Sequence, residues 1–138
     1  MKKSILILVI VSFLTFSCSN DDDNSTPEPT TAELLVSGKW YFRSINDVTS
    51  NTCEQQSYFH FTDATSLIVE SFSINSSTSV CQSAGLIGYT YSVNSSNQIV
   101  VTRNSEVVVY EIDNISASNL VLRRQLPSGT QIIIALSK

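Results

Sequence analysis

Histidine is almost missing from this chain: His60 stands alone among 138 residues. It falls inside a strand-like pattern, where such a residue is ordinarily exposed or hydrogen-bonded, and no nearby serine or cysteine completes a nucleophile motif. Glycine is scarce too, with four residues and no phosphate-cradling loop among them. Glu70, Glu106 and Glu111 are scattered at surface-like phases, which argues for solubility over paired acid–base work. Charge is sparse at 14 %, acids outnumber bases, and no basic stripe exists to follow a phosphate backbone. These shortages argue against an enzyme, a cofactor and a nucleic-acid partner.

What is present begins at the N-terminus. Lys2 and Lys3 precede a mostly apolar run, Ile5 to Phe16, closed by Ser17-Cys18. A spanning helix needs about 20 apolar residues, so this run is too short to cross a bilayer. Its layout is that of a signal peptide over residues 1–17. Leu14-Thr15-Phe16-Ser17-Cys18 resembles a loose lipobox in which Phe16 is the atypical member. The resemblance implies that Cys18 becomes the lipidated N-terminus of the mature protein; the rival is an ordinary secretory signal beside an unmodified cysteine. Residues 18–33 then carry Asp21, Asp22 and Asp23 and a Ser/Thr/Pro stretch, a composition that stays solvated and extended as a tether. Acids placed just after a lipidated cysteine also resemble the export signal that sends certain bacterial lipoproteins to the outer face of the outer membrane. The expected location is therefore the outer membrane through a lipid anchor, surface-exposed, with the periplasmic face as the alternative.

Loss of the signal leaves six basic residues against twelve acidic ones, a net charge of −6, and from Leu34 onward the balance is only −1. Residues 34–138 are enough for one core and one domain. With Cys18 assigned to lipid, Cys53 and Cys81 remain as a pair in an oxidising compartment, where a disulfide is expected and two buried free thiols are the alternative. Metal binding is not expected, since two cysteines without a nearby ligand pair make half a zinc site.

Period-two alternation dominates the domain. It predicts eight strands: Gly38 to Asn46, Gln55 to Thr62, Thr65 to Ile74, Leu86 to Val93, Gln98 to Arg103, Glu106 to Ile112, Asn119 to Arg124 and Gly129 to Leu136. Trp40 and Phe42 share a face of the first, Phe59 and Phe61 a face of the second, and Ile68, Phe72 and Ile74 are in phase on the third. Ile87, Tyr89, Tyr91 and Val93 share a face of the fourth. Turn chemistry marks Thr62-Asp63-Ala64, Asn94 to Asn97 and Pro127-Ser128-Gly129, while Asn75 to Ala84 reads as a loop tied by Cys81. Only Thr31 to Val36 suits a short helical turn. Short, evenly spaced strands point to an all-β, antiparallel, up-and-down sheet that closes into a small barrel.

Several landmarks fall in a familiar order: Gly38-Lys39-Trp40, Phe59-His60-Phe61-Thr62, Gly88-Tyr89-Thr90-Tyr91 and Tyr110-Glu111-Ile112 followed by Leu120-Val121-Leu122. With the two cysteines placed before the second and third of these, the chain from about Leu34 resembles a bacterial lipocalin-like lipoprotein domain. The resemblance implies an eight-stranded barrel whose Trp40 plugs a closed end beneath a basic side chain of a late strand, with Arg123 or Arg124 as the covering residue. A barrel of this size either fills itself or holds one small apolar ligand. Phe42, Phe61, Tyr89, Tyr91, Tyr110 and Ile112 are the bulky inward candidates for a pocket lining, or equally for core packing. Two functions follow: a binder of a small hydrophobic or amphipathic molecule, or a filled scaffold whose loops contact an unidentified protein or glycan.

Overall fold

The computed structural model describes residues 27–138. The expected signal peptide over residues 1–17, Cys18 and Asp21 to Asp23 lie outside the described residues. The chain forms a short helix α1 (Thr31–Leu35), then nine strands: β1 (Lys39–Ile45), β2 (Val48–Thr49), β3 (Tyr58–Phe61), β4 (Ser66–Ile74), β5 (Cys81–Val93), β6 (Gln98–Arg103), β7 (Glu106–Ile115), β8 (Asn119–Gln125) and β9 (Gln131–Ser137). Eight of them pair with their neighbours, antiparallel throughout, and β1 closes onto β9 through Phe42↔Leu136. The result is the expected closed barrel, with β2 as one added strand.

β2 is folded back on β1 by Asn46-Asp47, both at positive φ (48° and 62°). That conformation is the two-residue hairpin turn that Asn and Asp tolerate best. The segment from Gln55 does not extend the second strand as its alternation suggests, because Glu54–Gln56 is a 3₁₀ turn and pairing begins at Tyr58. Asn51 anchors that turn by accepting from the Cys53 and Glu54 backbone N–H groups.

Helix α1 straddles the boundary placed at residue 33 on composition. Thr30 accepts from the Glu33 N–H while the Glu33 carboxylate accepts from the Thr30 N–H, a capping box that starts the helix. Leu35 at its end is fully buried.

Alternation runs unbroken through β4. Leu67 and Val69 face the core, so Ile68, opposite His60 and Gly88, faces outward, in phase with Phe72 and Ile74 as expected. The register shifts between Glu70 and Phe72 because β5 carries an extra residue there, Ala84 and Gly85 together facing Ser71. β5 also starts earlier than its alternation suggests. Its first residues, Cys81 to Ser83, pair with Phe72 to Ile74, so the hairpin continues where a loop to Ala84 is expected.

Antiparallel order alternates strand direction and so sorts the ends of the barrel. At the end where β1 begins, Leu35, Trp40, Leu120 and Leu136 are buried to 2 % exposure or less. The Trp40 indole N–H donates to the Leu35 carbonyl at 2.9 Å, joining helix to plug. The cation above the indole is Lys138, its ammonium 4.4 Å from the Trp40 ring centroid, and not Arg123 or Arg124. Arg123 points outward into an ion pair with Asp113 at 2.6 Å, while Arg124 faces the barrel interior at the opposite end. A late residue does cover the plug, but β9 delivers it at the closed end, which β8 leaves before reaching its arginines. Lys138→Ala is expected to lower stability by about 0.5–2 kcal/mol, read as a denaturation midpoint shift with intact β-sheet circular dichroism.

Candidate functional site

The inward faces of the strands do not fill the barrel evenly. Toward the closed end, Phe61 and Tyr91 meet edge to face at 4.9 Å and Ile99, Ile112 and Leu122 pack around them. The Tyr91 hydroxyl donates to the Asp63 carbonyl at 2.7 Å, so its polar end is satisfied as the ring is buried. Above this layer lies a cavity of about 180 Å³.

Phe59, Leu67 and Val101 belong both to the buried core and to the cavity lining, and they form its floor. Val69, Tyr89, Val108 and Tyr110 form the walls. The rim carries Arg103, Glu106 and Arg124, and the exposure of Arg103 and Glu106 to solvent marks the mouth at the end opposite Trp40. Phe59 and Tyr110 stand edge to face at 6.1 Å, continuing the aromatic packing from the plug up to the cavity.

The polar groups of the mouth follow from strand phase. On β6 the inward positions are Ile99, Val101 and Arg103; on β8 they are Leu120, Leu122 and Arg124. Both strands run toward the mouth, so each ends its apolar inward face with an arginine. The Arg103 guanidinium lies 5.8 Å from the Tyr89 ring centroid. Burial pushes the Tyr110 hydroxyl pKa up, the Arg124 guanidinium opposing, so at neutral pH the phenol keeps its proton.

Of the six bulky lining candidates, Tyr89 and Tyr110 line the cavity. Phe61, Tyr91 and Ile112 are core residues beneath it, and Phe42 packs against Phe59 at 5.2 Å from the side of β1. Strand phase places all six inward but carries no information on height along the barrel, and height separates lining from packing. Val69, Val101, Arg103, Val108 and Arg124 were not anticipated in the lining. The inward alternation of β6 and β8 is the sequence signal that contains Val101 and both arginines.

The mouth is braced by the disulfide. Cys53 and Cys81 are bonded, with Cα atoms 5.5 Å apart, joining the segment after β2 to the start of β5. Ser57 adds to this brace, its Oγ accepting from the Phe72 N–H at 2.8 Å. Among the described residues no three His, Cys, Asp or Glu side chains gather as a metal site. His60 sits half-buried on the outer face of β3, away from the cavity.

A closed antiparallel barrel, plugged at one end by tryptophan and hollow at the other, defines a calyx. Residues 36–122 match the lipocalin-like domain, and the chain belongs to that family. A search of curated proteins finds no match. Similar solved structures include bovine odorant binding protein in complex with undecanal, at 16 % identity and a TM-score of 0.46, covering 81 % of this chain and 75 % of that one. A deswapped triple mutant of the bovine protein is similar at 16 % identity and a TM-score of 0.43, over 75 % and 74 % of the two chains.

Proposed function

We propose that this protein is a non-enzymatic, lipid-anchored binder of a small hydrophobic or amphipathic molecule at the cell envelope. The cavity of about 180 Å³ at the open end carries this reading, because an interior filled by its own side chains would leave only a scaffold. The size is informative: an engineered cavity of about 150 Å³ takes benzene, whereas drug-sized ligands occupy about 300–1,000 Å³. The expected ligand is correspondingly small. Native mass spectrometry of protein purified from its own host tests the reading. A retained small molecule that Val108→Trp displaces without unfolding the barrel supports it; a bare chain from every preparation counts against it.

The anchor rests on the sequence. Two or three acyl chains on Cys18 would hold firmly, at about 0.8 kcal/mol per buried methylene, where a single chain holds marginally. Cys18→Ser is expected to release the protein from membranes or leave its precursor uncleaved, and a palmitate analogue that fails to label the wild type would sink the anchor. Asp21 to Asp23 are proposed to route the protein outward. Alanine at all three should preserve labelling yet abolish cleavage by protease added to intact cells.

A second reading, an accessory protein that contacts a protein or glycan through its loops, is favoured by the β4–β5 hairpin. Ile74, Val80 and Leu86 there are 51 %, 54 % and 64 % exposed. Exposed apolar side chains on a braced hairpin suit contact, since function concentrates on loops held by rigid frames.

A further inference from the structure

The charge at the mouth is unusual for this domain. From Leu34 onward it carries six basic residues and a net charge of −1, yet two of the six, Arg103 and Arg124, turn inward at one rim. Among the described residues the only ion pairs are those of Arg123 with Asp113 and Glu111, on the outer wall. Neither rim guanidinium is held by a carboxylate, although Arg103 and Glu106 are register partners across the β6–β7 hairpin. Two cations and one acid leave the rim with a single unmatched positive charge.

We propose that the mouth selects a small amphipathic monoanion, its apolar body on Phe59, Leu67 and Val101 and its carboxylate between Arg103 and Arg124. This rests on the reading of the cavity as a ligand site. The floor offers apolar and aromatic surface alone, so the ligand's body is hydrocarbon. Its charged end lies at the rim, where guanidinium forks meet a carboxylate in the paired geometry such groups favour. The protonated Tyr110 hydroxyl is a further donor at the wall. One negative charge matches the rim, and a second would meet Glu106. The volume limits the body to a phenyl ring or a short alkyl chain, about six to ten non-hydrogen atoms by comparison with benzene-sized cavities. A small aromatic or short-chain carboxylic acid meets all of these conditions.

Isothermal titration calorimetry of the purified full chain at pH 7 tests the proposal with three probes of one shape: 3-phenylpropionate, 3-phenylpropanol and 3-phenylpropylamine. The acid should bind about tenfold or more tightly than the alcohol, the amine weakest, with a preference that shrinks as salt rises. Arg124→Gln and Arg103→Gln should each reduce that preference, weakening the acid more than the alcohol. Arg123→Gln, one residue away on the outer wall, should leave it unchanged, which separates a local from a global charge effect. Equal affinity for acid and alcohol would overturn the anion selectivity and leave the cavity as a binding site. Absence of binding by all three would overturn both.

Discussion

Replacing Trp40 by alanine is expected to lower the unfolding free energy by about 3–5 kcal/mol, as large aromatic truncations in cores do. Trp40 has no solvent exposure, and its indole N–H is the link to the Leu35 carbonyl. Removing the ring opens a void at the closed end, strands that carbonyl and leaves Lys138 without the aromatic face beneath it. A domain of this size has about 5–15 kcal/mol of total stability, so the loss is a large fraction of it. Equilibrium urea unfolding checks the figure. A cost below about 1 kcal/mol would mean that the plug does not hold the barrel closed, because surface-like substitutions fall in that range. In the wild type, the fluorescence of this single tryptophan should be blue-shifted and poorly quenched by iodide.

Loss of the Cys53–Cys81 bond is expected to cost almost as much. The two residues are 28 apart in sequence. Closing a loop of that length stabilises the fold by about 3.5 kcal/mol on the chain-entropy model. The double variant Cys53→Ser/Cys81→Ser should therefore unfold at markedly lower denaturant concentration. Because the bond braces the open end, hydrogen exchange should rise first in the segment 50–57 and in the outer part of the β4–β5 hairpin. The closed end around Trp40 should stay protected until global unfolding. Uniform loss of protection over both ends would show that the bond acts on the whole barrel and not on its mouth.

The contrast between the two ends also explains what the sequence could and could not reveal. Alternation is a local property, and it marks the inward residues of β1, β6 and β8 correctly because those strands have one buried face. It misses the bulge on β5, where Ala84 and Gly85 together face Ser71 just before the strand it predicts from Leu86. The 3₁₀ turn at Glu54–Gln56 escapes it as well, since a short polar segment before a strand has no period of its own. The disulfide was legible from the cysteine count and the expected oxidising compartment. Trp40 was legible as a buried plug, but its cover was not: Lys138 lies 98 positions away, and only closure of β9 onto β1 brings it there.

The cavity was the least legible feature. Whether a barrel of eight strands is hollow depends on the summed volume of inward side chains at each level. Strand tilt and register, which a linear pattern does not contain, decide which residues share a level. Tyr89 and Tyr91 are neighbours on one inward face, yet one lines space and the other fills it. Arg103 and Arg124 look like two unrelated charges in the chain, and only the common direction of β6 and β8 brings them to one rim.

The space between that rim and the floor of Phe59, Leu67 and Val101 is the proposed ligand site. A titration of the ¹³C-methyl spectrum with 3-phenylpropanol, a neutral probe independent of the charge at the mouth, tests it most directly. Saturable shifts are expected for the methyls of Leu67, Val69, Val101 and Val108, with Leu35, Leu120 and Leu136 at the closed end unmoved. Shifts confined to outward methyls such as Val107 and Leu86, or no saturable shift at any lining methyl, would contradict it.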